Sequence, residues 1–404
     1  MKFAHLADCH IGSWREPKLR DISTEAFSRA VDASIQNKVD FILIAGDLFN
    51  TPLPAMDSLK KTVSKMKEAN DLGIPIYLVA GSHDYSPSGK TMLDVLEGAG
   101  LAKNVLKGDN EDGKLRLKFT TDKKTGAKIT GILGKKLGLE KAYYEHLIRE
   151  HLEQEQGYKI FMLHSGIDEL KSKQMENIIS SPLSLLPRNF NYYAAGHVHE
   201  VSVHNVEGYG TIAYPGPLFP NSFKELEELG RGGFFIVENN VPKFHPIQIY
   251  NTFSIALDCN HKSPQQVQLE ITEKIRKHEF NDTIVTIRLS GTLSSGKPSD
   301  INFKEIYDLL YGKSAYFVMK NTSALSSKEY EGISVSTSSI EDVEDAIIRE
   351  HLGQIKVEGL AKEKEYEIAK ALIESLSEAK DEGERVSDFE DRIRKSALKI
   401  LNLD

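Results

Sequence analysis

Through the first 240 residues, short apolar runs recur between longer stretches whose apolar residues fall three and four apart. The runs are Lys2–Ala7, Phe41–Ala45, Ile74–Ala80, Lys159–Leu163, Tyr192–Ala195 and Phe234–Val237. Continuous apolar runs of this length predict strands buried on both faces. Between the first two, Phe27, Val31 and Ile35 recur every four residues and predict a helix with one covered face. A second helix is expected after Pro54, where Leu59, Val63 and Met66 share a side and Gly73 ends the pattern. Strand and helix patterns in alternation predict an α/β layered sheet domain over residues 1–245.

A second alternation occupies residues 250–330. Strand-like "TFSIALD" precedes a helical pattern with Val267, Ile271 and Ile275; "TIVTIRL", a helix around Ile306–Leu310 and "SAYFVMK" follow. This β-α-β-α-β order predicts a smaller α/β domain. After "SSKEYEGISVSTSS" the composition turns acidic and helical, so residues 336–404 are read as a linker and C-terminal helices. Ser387 with Glu390 has the spacing of a capping box, ahead of a one-sided stripe of Val386, Phe389, Ile393, Ala397 and Ile400.

Charge sharpens this division. The net charge is −8, and residues 331–404 alone hold 19 acids and 11 bases, so the acidic excess lies in the C-terminal region. The rest is balanced, which excludes a protein that holds DNA by bulk positive charge. The chain has no apolar stretch of membrane-spanning length, and no membrane partner is expected. Met1-Lys2-Phe3-Ala4 leads straight into a strand pattern, so no secretion signal is expected. Cys9 and Cys259 are the only cysteines, which favours a reducing compartment, cytoplasmic (nucleoid-associated) or nuclear.

Polar clusters follow five of the apolar runs: "ADCH" with Asp8 and His10, "GDLF" with Asp47, "GSHD" with Ser82, His83 and Asp84, "LHSG" with His164, and "GHVH" with His197 and His199. If the strands share one sheet, these clusters meet along the rim at their carboxyl ends. Carboxylates and imidazoles without thiolates suit Mn²⁺, Fe²⁺ or Zn²⁺. The i, i+2 spacing of Asp8/His10 and of His197/His199 puts each pair on one side of an extended chain and turns Cys9 away. Gly46, Gly81 and Gly196 permit sharp turns close to an ion. Taken singly, His164 reads as an ordinary core histidine and Asp47 as a helix cap. Five clusters in order, each after a strand, are not explained that way.

The order Asp-x-His, Gly-Asp, Gly-Asn-His-Asp/Glu, His and Gly-His-x-His is that of the calcineurin-like metallophosphoesterases, which this chain resembles. The GDLF form, the smaller second domain and the helical C-terminus resemble more narrowly the SbcD-like nuclease subunit of the MRN/SbcCD double-strand-break repair complex. The resemblance implies two divalent metal ions, Mn²⁺ first among them. Asp8, His10 and His199 would hold one; His164, His197 and the residue at Ser82 the other; Asp47 would bridge. Two such ions clamp a phosphodiester and lower the pKa of a water that attacks phosphorus in line. His83 would protonate the leaving oxygen or steady the phosphate, with Asp84 as its orienting partner. Ser82 stands where the family pattern has asparagine; a hydroxyl on a shorter arm implies a weaker second site, reached directly or through water.

The resemblance also implies partners. They are DNA (duplex ends, hairpins or single strands), an SMC-like ATPase docked on the C-terminal helices with Ile368 and Leu372 beside the later stripe, and a second copy of the chain. Homodimer contacts are expected on Asp57–Asn70 and Met92–Leu96. The smaller domain would cap the site and hold DNA. Its bases Lys274, Arg276, Lys277 and Lys297 are candidates for backbone contacts, although solvated helix charges are the simpler reading. Two alternatives remain: another enzyme of the superfamily, such as a nucleotidase or phosphodiesterase, or a non-catalytic DNA-end scaffold. Leu48-Phe49-Asn50-Thr51 after Asp47 departs from the Asp-Arg-Gly of the Ser/Thr phosphatases. "SPSGKT" at Ser86–Thr91 is not a phosphate-binding loop, because Asp84 occupies the place of its first glycine.

Overall fold

Each apolar run of the first 240 residues forms a strand, but the strands divide between two sheets. Lys2–Leu6 (β1), Phe41–Ala45 (β2) and Ile76–Val79 (β3) run parallel in the first. Helices Pro17–Gln36 (α1) and Met56–Asp71 (α2) make the crossovers, and Met92–Gly98 (α3) follows β3. Lys128–Ile132 (β4), Lys159–His164 (β5), Tyr192–Gly196 (β6) and Gly210–Tyr214 (β7) then build the parallel centre of the second sheet, in the order β7-β6-β5-β4. After the short helix Phe223–Leu229 (α4) the chain returns to the first sheet. There Gly232–Glu238 (β8) pairs antiparallel with β1, and Val241–Ile247 (β9) pairs with β8.

The two-sheet arrangement explains why the runs are apolar at every position. Phe3, Phe41, Leu43, Tyr77 and Val79 point inward against Ile129, Ile160, Met162 and Tyr192 of the other sheet. The alternate residues Leu6, Ile42, Ile44 and Leu78 point outward under Phe27, Val31 and Met66 of the helices. Phe161, Leu163, Tyr193 and Ala195 cover the outer face of the second sheet. Between the sheets Phe3 stacks on Phe41 at 5.0 Å and meets the Tyr192 ring edge-on at 5.2 Å. Removing such a ring costs about 3–5 kcal/mol. Periodicity reports that a strand is covered on both faces, not which sheet it joins; hence the single rim expected from the sequence is replaced by two rims facing each other.

In this computed structural model the described residues are 1–86, 91–172, 178–328, 348, 362–381, 384 and 386–401. They fall into two compact units. The first comprises Met1–Leu257, Glu270–Arg288 and Phe303–Asn321; the second comprises Asp258–Leu269, Leu289–Asn302 and Thr322–Asp404. The expected β-α-β-α-β succession is present as Asn251–Asp258 (β10), Pro264–Arg276 (α5), Thr283–Leu293 (β11), Phe303–Gly312 (α6) and Ala315–Ser327 (β12). In the second unit Lys362–Leu376 (α7) and Val386–Ile400 (α8) pack together, with Ser375 and Ser396 hydroxyls 2.8 Å apart. Phe389, Ile393, Ala397 and Ile400 are only partly covered. Ser387 is not the cap expected of it: the helix already includes Val386, and the Ser387 hydroxyl meets Asp388. Nearly all of the expected linker, and residues 87–90 of "SPSGKT", lie outside the described residues. Among the described residues no helix is long and apolar enough to cross a membrane.

Candidate metal centre

The polar clusters converge where the carboxyl ends of the two sheets meet. Asp8 and His10 follow β1, Asp47 follows β2, and Ser82 and His83 follow β3; His164 ends β5, and His197 and His199 follow β6. The loops after β1 and β2 stay paired beyond the strands, through Asp8 N to Gly46 O at 3.2 Å and His10 N to Asp47 O at 2.9 Å. The backbone bends abruptly here. Asp8, His10, Asp47 and His197 all have positive φ, at 48°, 41°, 49° and 83°, a conformation L-residues rarely adopt and one that collects at functional sites. The extended geometry expected for the i, i+2 pairs therefore does not hold at these residues; their side chains are aimed by tight turns and not by strand pleat.

Asp47 is held so that its two oxygens do different things. Oδ1 accepts the His83 backbone N–H at 2.7 Å. Oδ2 faces His164 Nε2 at 3.1 Å, Ser82 Oγ at 3.5 Å and His10 Nε2 at 3.7 Å. Asp8 accepts the His197 backbone N–H at 3.0 Å and lies 3.6 Å from His199 Nε2. His10 Nε2 and His199 Nε2 are 3.3 Å apart. Three sets offer ligand atoms within 4.8 Å of one another: Asp8/His10/His199, His10/Asp47/His83 and Asp8/Asp47/His164. Among the described residues His197 joins no such set; its ring packs edge-on to His164 at 5.2 Å.

Glycine makes this convergence possible. A Cβ on Gly46 would stand 2.1 Å from His164 Nδ1, and one on Gly81 2.2 Å from Asp47 Oδ1. His164 Nδ1 donates to Ala45 O at 2.9 Å, which leaves Nε2 as the free ring atom. That atom is buried and has no hydrogen-bond partner, although Asp47 Oδ2 is beside it. A buried imidazole nitrogen beside carboxylate oxygens, with two further imidazoles nose to nose, is a donor set that fits divalent cations.

Residues 1–201 match the family described as calcineurin-like phosphoesterase. These residues form a calcineurin-like phosphoesterase domain. Several archaeal relatives align further. The protein named DNA double-strand break repair protein Mre11 from Archaeoglobus fulgidus is 26% identical over 282 residues, 64% of this chain and 62% of that protein's length. The Methanococcus maripaludis protein of the same name is 24% identical over 369 residues, 85% of this chain and 89% of its own. The one from Methanopyrus kandleri is 29% identical over 252 residues, 59% of this chain and 54% of its own.

Protonation at this candidate centre follows the carboxylates. Burial alone depresses a histidine, but Asp47 and Asp8 together more than reverse it at His164 and raise it to about 10. At His199 burial is likewise outweighed, by Asp8 and Glu225, and the value is again about 10. His10 and His197 are not rescued: burial holds both down at about 4. For Asp8 and Asp47 burial opposes ionisation, yet the surrounding imidazoles keep both below the usual carboxylate range.

Three contacts escape sequence reasoning. Asp84 does not orient His83. Its carboxylate accepts N–H from Leu48, Phe49 and Gly81 at 3.0–3.1 Å and ties the loops after β2 and β3 together, while burial and then the Asp47 charge raise it to about 7. The His83 ring is held instead by Asn50 O, 3.0 Å from Nδ1; a backbone carbonyl carries no sequence signal. Glu225 accepts from His199 Nδ1 at 3.0 Å. Ser222-x-x-Glu225 is legible as a helix start, and Ser222 Oγ does accept the Glu225 N–H, but nothing in that spacing points to a histidine 26 residues earlier.

Proposed function

We propose that the chain is the nuclease subunit of a DNA double-strand-break repair complex, a Mn²⁺-dependent phosphodiesterase working with two cations. The supporting observation is that likeness to double-strand break repair proteins extends over 369 residues, well past the phosphoesterase match at 1–201. A small-substrate phosphatase has no use for the added α/β segment and acidic helices.

In this reading Asp8, His10 and His199 would hold one ion and His164 and Ser82 the other, with Asp47 contributing to both; His197, whose ring packs edge-on to His164 and joins no ligand set among the described residues, would have to turn to complete the second. Bound divalent cations supply charge neutralisation at the phosphate and acidify a water. The chain does the positioning. The His83 N–H fixes Oδ1 of Asp47 and leaves Oδ2 facing His164, Ser82 and His10, where it would be available to a cation. Asn50 O holds His83 Nδ1, so the proton available to a leaving oxygen is the one at Nε2. Exposed Leu53, Met56 and Val95 at and beside α2 and α3 support a homodimer face there. The half-covered stripe of α8 supports docking of an SMC-like ATPase.

The test is digestion of end-labelled duplex DNA with Mn²⁺ or with chelator, comparing the wild type with His83→Ala. The wild type should cut only with Mn²⁺. His83→Ala should lose about 10²–10⁴-fold in rate while still binding both ions, because the hold on Asp47 comes from the backbone. Hydrolysis of bis-nitrophenyl phosphate without any cutting of duplex would reject the nuclease reading and keep the phosphodiesterase.

A further inference from the structure

Two of the carboxylates on the short helix α4, Glu225 and Glu227, have unrelated neighbours, and together they tie a candidate metal ligand to a strand in the downstream alternation. Glu225 Oε1 accepts His199 Nδ1–H at 3.0 Å, and its Oε2 accepts the Asn221 N–H at 2.9 Å. Both oxygens are committed, so the carboxylate cannot swing. A histidine whose Nδ1 donates to a fixed acceptor keeps its Nε2 aimed; here Nε2 points toward Asp8 Oδ1 and His10 Nε2.

A helix of seven residues does not hold its own position. The Ser222 cap and buried Leu226 anchor one side of it. Glu227, two residues on and so about 200° around the helix, is gripped on the other side by Arg288 of β11. Arg288 Nε lies 2.9 and 3.1 Å from the two Glu227 oxygens and Nη2 lies 2.6 Å from Oε2; the guanidinium also covers the Phe223 ring at 5.1 Å. A forked pair of this kind fixes direction as well as distance. Glu227 is 15% exposed, so water does not compete freely for it.

We propose that Glu225 is a positioning residue that orients His199 toward its cation, and that Arg288 keeps it in place by clamping α4 through Glu227. This rests on the metal-centre reading above and adds a dependence of one ion site on a strand residue 61 positions beyond Glu227.

The experiment is Mn²⁺ titration of the full chain without DNA, by calorimetry and by the electron paramagnetic resonance of the bound ions. The wild type should bind two Mn²⁺ and give a spin-coupled pair signal. Glu225→Ala should weaken one site by about 10–100-fold and leave the other, so that a six-line mononuclear signal replaces the pair. Glu225→Gln, which keeps the shape and one acceptor, should recover most of the loss; it carries the test if the alanine variant does not fold. Arg288→Ala should weaken the same site by less, and the double variant should be no worse than Glu225→Ala alone, since Arg288 acts through it. Two ions bound by Glu225→Ala as tightly as by the wild type would overturn the proposal, as would full additivity of the two losses. A wild type that binds no Mn²⁺ would instead bring down the metal-centre reading itself.

Discussion

Gly81→Ala tests how strictly the site depends on the position of Asp47. The added Cβ would lie 2.2 Å from Asp47 Oδ1, 2.3 Å from its backbone N and 2.6 Å from Cγ. Ordinary contact begins near 3.4 Å, so about 1 Å of relief is required. It cannot come from a side-chain rotation alone, because the backbone nitrogen is also struck. The loop carrying Ser82 and His83 must lift away from Asp47, lengthening the 2.7 Å bond from His83 N to Oδ1. A misplacement of about 1 Å in a reacting constellation costs about 10²-fold in rate, or about 2.7 kcal/mol. Overpacking adds about 1–3 kcal/mol against folding. Gly312→Ala is the control, for a Cβ there meets nothing within 4 Å in helix α6; it should be neutral or stabilising by up to about 1 kcal/mol. Mn²⁺-dependent hydrolysis of bis-nitrophenyl phosphate, with thermal melting in parallel, reads both terms. Wild-type turnover by Gly81→Ala would refute the reasoning, since Asp47 would then not need to be where it is.

The remaining predictions concern the second cation, protons and the C-terminus. Ser82→Asn should raise the affinity of the weaker Mn²⁺ site in calorimetry, because a carbonyl on a longer arm replaces a hydroxyl 3.5 Å from Asp47 Oδ2; unchanged affinity would show that position 82 does not face an ion. In chelator, His164 and His199 are held at about 10, above the ordinary value near 6.5, so their contribution to stability is complete below about pH 6.5 and is lost as pH rises toward 10. The melting temperature of the metal-free protein should therefore fall over that interval, while Mn²⁺, which displaces those protons, binds more tightly; a flat pair of curves would contradict the charge assignment. Deleting the residues after about 335 should leave Mn²⁺-dependent nuclease activity and abolish co-purification with the ATPase. A soluble truncation without nuclease activity would contradict it.

The strands were legible because burial on both faces leaves a run with no polar residue, as in Phe41–Ala45. Their partition between two sheets was not, because Phe41 facing the other sheet and Ile42 facing a helix look alike in sequence. Asp8, His10, Asp47, His164 and His199 could be picked out by their places after strands, and the fold brings their donor atoms together. His197 shows the limit of spacing arguments: with φ at 83° its ring leaves the direction that an extended His-x-His would give. Asp84 shows another, since three backbone N–H groups compete for a carboxylate that adjacency alone would assign to His83. Glu225 depends on where a seven-residue helix lands, which is tertiary information.

The donor atoms come from loops of both sheets, with Asp8 and Asp47 on one side and His164 and His199 on the other. Cations bound as proposed above would rivet the sandwich as well as serve the reaction, and parting the two layers would require their release. Stabilisation by such a ligand grows with the logarithm of its free concentration over its dissociation constant. On that reading cation supply would set the stability of the folded chain along with its activity, and scarcity would leave it not merely idle but easier to dismantle.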